Sequence, residues 1–265
     1  MGVSEQILNY GAFFDIKKIR KNSARIQELV LLKESEFKRA GSFLSAVKAL
    51  DSDRLKIISG SLDRDKIKRS ASRTVSRELC GIYYENAGKG REKRRFLSSL
   101  CHEGVDLLYG TIPATASKTI VLRDSHGLPA SVYLGEIRAA CLEKGINIIT
   151  CCCPTRPSEK LEHIILPGPG ICFFTANEYH NPPENVYKTI NTDRFCDPNA
   201  LAAKKNLSAF LKKARNELLR EAVRHYKSAR AYHVELEEYY RDTVDFDGIH
   251  GLEDSVAGDI LNRTP

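Results

Sequence analysis

The sequence predicts an α/β protein: a core of parallel strands with a helical segment on either side. Three observations carry this. Short β-branched, apolar runs at Ile120–Leu122, Ile146–Cys151 and Ile171–Phe174 are bounded by turn residues, as buried strands are. Between the first two lies Ser131–Lys144, where Leu134, Ile137, Cys141 and Leu142 recur at helical spacing, so strand, helix and parallel strand follow one another. The first run, from Lys118, passes through a polar segment with Gly127 and Pro129 straight into that helix, which is the frame of a phosphate-binding loop.

Taken in order, residues 15–79 read as helical, with Ile26, Leu29, Phe37, Ala40, Leu44, Val47 and Leu50 along an apolar stripe. Gly60 and Ser61 interrupt the pattern, and Asp63 suits the cap of a shorter helix starting near Asp65. A helical segment over 1–85 is followed by a polar, glycine-containing linker over 86–95. The α/β core is expected over 96–189. Gly145 stands where a helix C-terminal glycine belongs, and Gly168–Pro169–Gly170 and Asn181–Pro182–Pro183 are turns. A second helical segment fills 190–265.

The two helical segments repeat one another. Residues 8–79 match residues 190–261 without gaps at a constant offset of 182. Asn9, Phe13 and Asp15 fall on Asn191, Phe195 and Asp197; Asp63, Asp65 and Ile67 fall on Asp245, Asp247 and Ile249. The second copy follows an α/β core and the first does not, so the chain reads as a duplicated core-plus-helices unit whose first core is missing. Gln6–Tyr10, the twin of Lys188–Thr192, is then expected to dock on the remaining core, on a partner chain or in a homo-oligomer.

Composition narrows the class. Apolar and charged contents of 42% and 28% are ordinary for a globular protein, and no apolar run approaches the ~18 residues of a membrane span. Without a basic leader at the N-terminus, the eight cysteines read as reduced thiols, and a cytoplasmic location is expected. The net charge is +7, with basic residues gathered at Arg64–Arg77 and Lys89–Arg95. Asp63, Asp65 and Glu78 are interspersed and no aromatic platform accompanies them, so nucleic acid is not the expected partner. No membrane partner is expected either.

Several stretches resemble one family. Gly90–Arg91–Glu92 with Phe96–Ser99, Cys153–Pro154, Glu162–Pro167 and Phe174–His180 are similar to signatures in the second half of bacterial tandem P-loop ATPase-like proteins. Those proteins have two P-loop halves, each with a helical extension. The resemblance covers nearly the whole chain and implies a P-loop NTPase-like core, ATP-binding ancestry, and ATP with Mg²⁺ as cofactor.

The loop itself is degenerate. Laid on G-x-x-x-x-G-K-[ST], the eight positions are Asp124, Ser125, His126, Gly127, Leu128, Pro129, Ala130 and Ser131. Asp124 replaces the first glycine and would repel phosphate; Pro129 replaces the second and has no N–H; Ala130 replaces the lysine; only Ser131 keeps its type. Losing the lysine and an amide donor removes roughly 3–6 kcal/mol, about two to four decades of affinity. Arg123 and Lys118 are the nearest cations able to compensate. Asn177 and Glu178 close the strand Ile171–Phe174 where such proteins carry a magnesium-associated acid. His126 has no identified partner. Cys151, Cys152, Cys153 and Cys172 match no zinc spacing, so no metal site is expected, and Tyr226, Tyr232, Tyr239 and Tyr240 read as helix packing.

The expected function is therefore a P-loop NTPase-fold protein with weak or no hydrolysis. The alternative is a non-catalytic interaction or regulatory protein that uses the core as a scaffold.

Overall fold

The computed structural model describes residues 7–81 and 88–263. It contains eight helices and eight strands among those residues: α1 Ile16–Lys21, α2 Ser23–Ser59, α3 Arg64–Glu78, β1 Glu92–Arg95, β2 Ser98–Cys101, β3 Gly104–Leu107, α4 Thr111–Thr115, β4 Lys118–Arg123, α5 Pro129–Glu143, β5 Ile148–Cys152, β6 Leu161–Leu166, β7 Ile171–Ala176, β8 Val186–Asn191, α6 Pro198–Ala202, α7 Lys205–Arg241 and α8 Phe246–Arg263. The chain divides into two units, residues 40–224 and residues 1–39 with 225–265.

The unit 40–224 is built on a six-stranded sheet of order β1-β5-β6-β7-β4-β8. Five strands run parallel in sense; β6 is antiparallel to both neighbours, so the sheet is mostly rather than wholly parallel. β6 and β7 are a hairpin, closed at Pro167–Gly170 with Gly170 at φ +66°. β4 and β5, joined by α5, are parallel but separated by that hairpin.

Both faces of the sheet are buried, and alternation along each strand decides which layer a side chain joins. Ile120, Leu122, Phe173 and Ile164 pack under α5 and α3 with Tyr133, Ile137, Ile67 and Val75. Val121, Cys172, Phe174 and Ile165 pack on the other face with Leu97, Leu107 and Ile112, from the β2–β3 hairpin and α4. Cys141, Cys151 and Cys172 lie inside these layers, and burial pushes each thiol up to about 12. α5 ends as its sequence suggests: Gly145 has φ +77°, and the N–H groups of Gly145 and Ile146 donate to Leu142 and Cys141 in a Schellman turn.

Three boundaries are corrected. Glu92–Arg95 is a sheet strand rather than linker: Glu92 takes a bidentate hydrogen bond from Arg138 of α5 and a third from Thr150, which holds this charged run at the sheet edge. The core therefore begins before residue 96, and α3 belongs to it. The boundary at 189/190 falls inside β8. Linker residues 86–87, positions 82–85 and Gln6 lie outside the described residues.

In the unit formed by residues 1–39 and 225–265, α2 and α7 run antiparallel. Arg25 pairs with Glu235 at 2.6 Å and His225 with Glu36 at 2.5 Å. Tyr232, Tyr239 and Tyr240 pack on Ile26, Leu29 and Leu236, and Tyr226 meets Phe37 edge-on. Ile7 is 90% exposed, and residues 7–9 form no strand.

Candidate functional site

A cleft of about 530 Å³ opens at the carboxyl ends of the parallel strands. Arg123, Ala176 and Asn191, the last residues of β4, β7 and β8, all line it, which is where open α/β sheets place their ligands. The antiparallel β6 enters there, so its first residues contribute too. Asp51, Arg54, Lys212 and Arg215 complete the wall from α2 and α7.

The loop after β4 forms part of this cleft, and its shape is set by Asp124. That residue is 2% exposed, and its carboxylate accepts the backbone N–H groups of His126 at 3.0 Å, Gly127 at 2.6 Å and Ala130 at 3.0 Å. These are the donors at the bend and at the first turn of α5 that an incoming anion would use. The side chain expected to repel phosphate is turned inward and takes up these donors itself. Burial raises the pKa of Asp124, while the N–H groups of Gly127 and Ala130 work against that rise.

The rest of the loop is equally engaged. Ser125 donates its N–H and its hydroxyl to the Asp193 carboxylate at 3.0 and 2.7 Å. His126 Nε2 stands 4.0 Å from the same carboxylate. Gly127 needs its glycine, with φ +83° and Arg54 Nη1 3.6 Å from where a Cβ would stand. Leu128 precedes α5, Pro129 opens it where no N–H is needed, and Ala130 is buried. Ser131 Oγ accepts the Leu161 N–H at 3.1 Å, tying α5 to β6.

Asn177 and Glu178 both reach the cleft, but in local roles. Asn177 Oδ1 caps the turn by accepting the N–H groups of Tyr179 and His180, and Glu178 pairs with Lys212 at 2.8 Å. Of the two cations suggested as compensation, Arg123 lines the cleft. Lys118 sits at the opposite end of β4, with its ammonium 5.2 Å from the centre of the Tyr187 ring.

A polar cluster absent from the sequence expectations forms the floor. β6 carries an extra residue opposite β5: Cys151 faces His163 and Cys152 faces Leu161, leaving Glu162 as the bulge. Lys160 donates to Glu162 Oε1 at 3.1 Å, and His180 Nε2 lies 3.9 Å from Oε2. Burial opposes charge on Glu162, but the Lys160 ammonium beside it outweighs that and holds the carboxyl below its usual value. Burial drives His163 down to about 3 and lowers His180, so both rings are neutral.

Glu162, His163 and His180 lie close enough to share a cation. Their hydrogen bonding does not fit one. His163 Nδ1 accepts the Thr175 N–H at 3.2 Å, so its proton sits on Nε2 and leaves no lone pair for a metal. The Lys160 ammonium beside Glu162 adds a like charge. The signal in the sequence was the polar run Lys160–Glu162–His163 heading an otherwise apolar strand.

Charge pairing in the cleft is uneven. Arg215 is matched by Asp51 at 3.3 Å, Lys160 by Glu162, Lys212 by Glu178, and Arg156 by Glu159. Among the described residues Arg54 and Arg123 have no side-chain partner, and Arg54 Nε is buried without an acceptor. Comparison of the chain with family models, curated proteins and solved structures finds no match.

Proposed function

We propose that the chain is a P-loop NTPase-type protein that does not hydrolyse nucleotide, and that its cleft binds a small anionic ligand through Arg54 and Arg123. The observation that carries this is the Asp124 carboxylate in its ring of three backbone donors. A triphosphate would have to displace it, giving up hydrogen bonds to a charged acceptor worth about 1.5–3 kcal/mol each, with no lysine to offset the loss. The two unpaired guanidinium groups lie on the same cleft and supply the positive charge the loop lacks.

Calorimetry tests both halves. Mg-ATP and ADP should give no saturable heat up to millimolar concentration, and no ATP should be turned over. Inorganic pyrophosphate, as the anionic probe, should bind, and Arg54→Ala should weaken it at least tenfold. Asp124→Gly, which vacates the ring of donors, should raise phosphate affinity. Micromolar binding of Mg-ATP by the unaltered chain would refute the self-occupied loop; pyrophosphate binding indifferent to Arg54→Ala would refute the anion site.

A further inference from the structure

α3 has a face that neither the core nor the cleft uses. Ile67, Ser70, Ala71, Thr74 and Val75 are buried, so the helix lies on the core in one orientation. Tyr133 of α5 fixes it further by donating its hydroxyl to Thr74 at 2.7 Å. Helical spacing then sends Lys68, Arg69, Ser72, Arg73, Ser76 and Arg77 outward, and all six are exposed. Arg64, in the first turn, is exposed as well. None of these residues lines the cleft.

The acids that set nucleic acid aside on sequence grounds do not interrupt this run on the surface. The Asp63 carboxylate caps the helix, accepting the Lys66 N–H at 2.8 Å. Glu78 is turned inward, its side chain 5% exposed, where it pairs with Arg77 at 2.9 Å and faces Lys188 at 3.8 Å. Asp65 remains open, in the first turn, where a carboxylate complements the helix dipole. Among the described residues no carboxylate pairs with Arg64, Lys68, Arg69 or Arg73.

We propose that this face of α3 binds double-stranded DNA through its phosphate backbone, without reading sequence. The composition of the face selects that partner. Guanidinium groups grip phosphate oxygens in pairs, and the hydroxyls of Ser72 and Ser76 add donors between them. No exposed side chain of α3 is apolar or aromatic. A helix lying on a membrane buries an apolar face, a protein interface has an apolar centre, and single strands stack on aromatic rings; α3 offers none of these, because its apolar side is taken up by the core. From Arg64 to Arg77 the row runs about 20 Å, the axial length of about six phosphates on one DNA strand. Duplex RNA is held across its wide minor groove through 2′-hydroxyls, a broader surface than one row of side chains provides.

The test is fluorescence anisotropy of the full chain with a labelled DNA duplex of mixed sequence, about 20 base pairs long, titrated between about 50 and 200 mM salt. Saturable binding is expected, with log affinity falling against log salt at a slope of about −3 to −4, as four phosphate contacts require. Replacing Lys68, Arg69 and Arg73 together by glutamine, which keeps helix propensity, should weaken binding about tenfold or more and flatten the slope to about −1. Arg69→Gln and Arg73→Gln singly should each take about 1 from the slope. The same loss of charge at Lys204, Lys205 and Lys213, exposed elsewhere in this unit, should leave affinity and slope nearly unchanged. Circular dichroism checks that every variant is folded. No binding at low salt, equal weakening by the two triple variants, or tighter binding of a single strand, an RNA duplex or phosphatidylserine vesicles would overturn the proposal.

Discussion

Asp124 shows how one residue can satisfy the donors of a bend from within it. The run from β4 into α5 is held in shape by that carboxylate, which takes up the backbone N–H groups of Gly127 and Ala130. That a carboxylate here conflicts with phosphate was readable from the sequence. Its inward rotation was not, since nothing in the order of residues says which way a side chain at the mouth of a loop will turn. His163 was still less visible, because its state depends on the Thr175 N–H across the hairpin. It makes a measurable claim. Burial holds His163 at about 3 and lowers His180, whereas in the unfolded chain each titrates near the ordinary value of about 6.5. Below that value the unfolded chain takes up protons that the folded one refuses, so stability is level above neutrality and falls with acid. Between pH 6.5 and 5 His163 should contribute a slope approaching ~1.4 kcal/mol per pH unit, and His180 adds to it in the same direction. Urea midpoints across that window should show the decline, and His163→Gln should make it shallower. An unchanged slope in the variant would assign the effect elsewhere.

Three of the apolar strands were legible; β6, apolar from Ile164 to Leu166, was not read as a strand, and neither was the polar β1. β4, β5 and β7 announce themselves because buried strands of a covered sheet are apolar on both faces. β1 reads Glu-Lys-Arg-Arg, the composition of a linker, and becomes a strand only because Arg138 and Thr150 take up Glu92. Such charge also suits an edge that must not recruit other strands. What admits β1 to the sheet is Gly90, where an added Cβ would run into the backbone of Ile146. Its N–H also donates to the Leu142 carbonyl at 2.8 Å, in the last turn of α5. Gly90→Ala should therefore push β1 off while leaving the other five strands paired. Hydrogen exchange at residues 92–95 should quicken by an order of magnitude or more, and global stability should fall by about 1–3 kcal/mol, the range for a forced backbone shift. Protection unchanged at 92–95 would show that the close approach is relieved some other way.

For the molecule as a whole, the repeat was plain in the sequence as a register, but its consequence needed coordinates. Two copies of one motif carry the same capping chemistry in different surroundings. Asp63 Oδ1 accepts the Lys66 N–H at 2.8 Å, and Asp245 Oδ1 accepts the Gly248 N–H at 2.9 Å. Replacing either by alanine removes about 1 kcal/mol of helix stabilisation. Where that loss is felt depends on whether the helix is part of the cooperative core. α3 is locked under the sheet by Ile67, Ala71 and Val75, so its cap is lost only when the whole unit unfolds. Asp63→Ala should shift the global urea midpoint by the full amount. α8 buries no described side chain, so it can fray alone. Asp245→Ala should speed exchange of the α8 amides severalfold and leave the midpoint where it was. Equal shifts in the midpoint for both variants would mean that α8 unfolds together with the core.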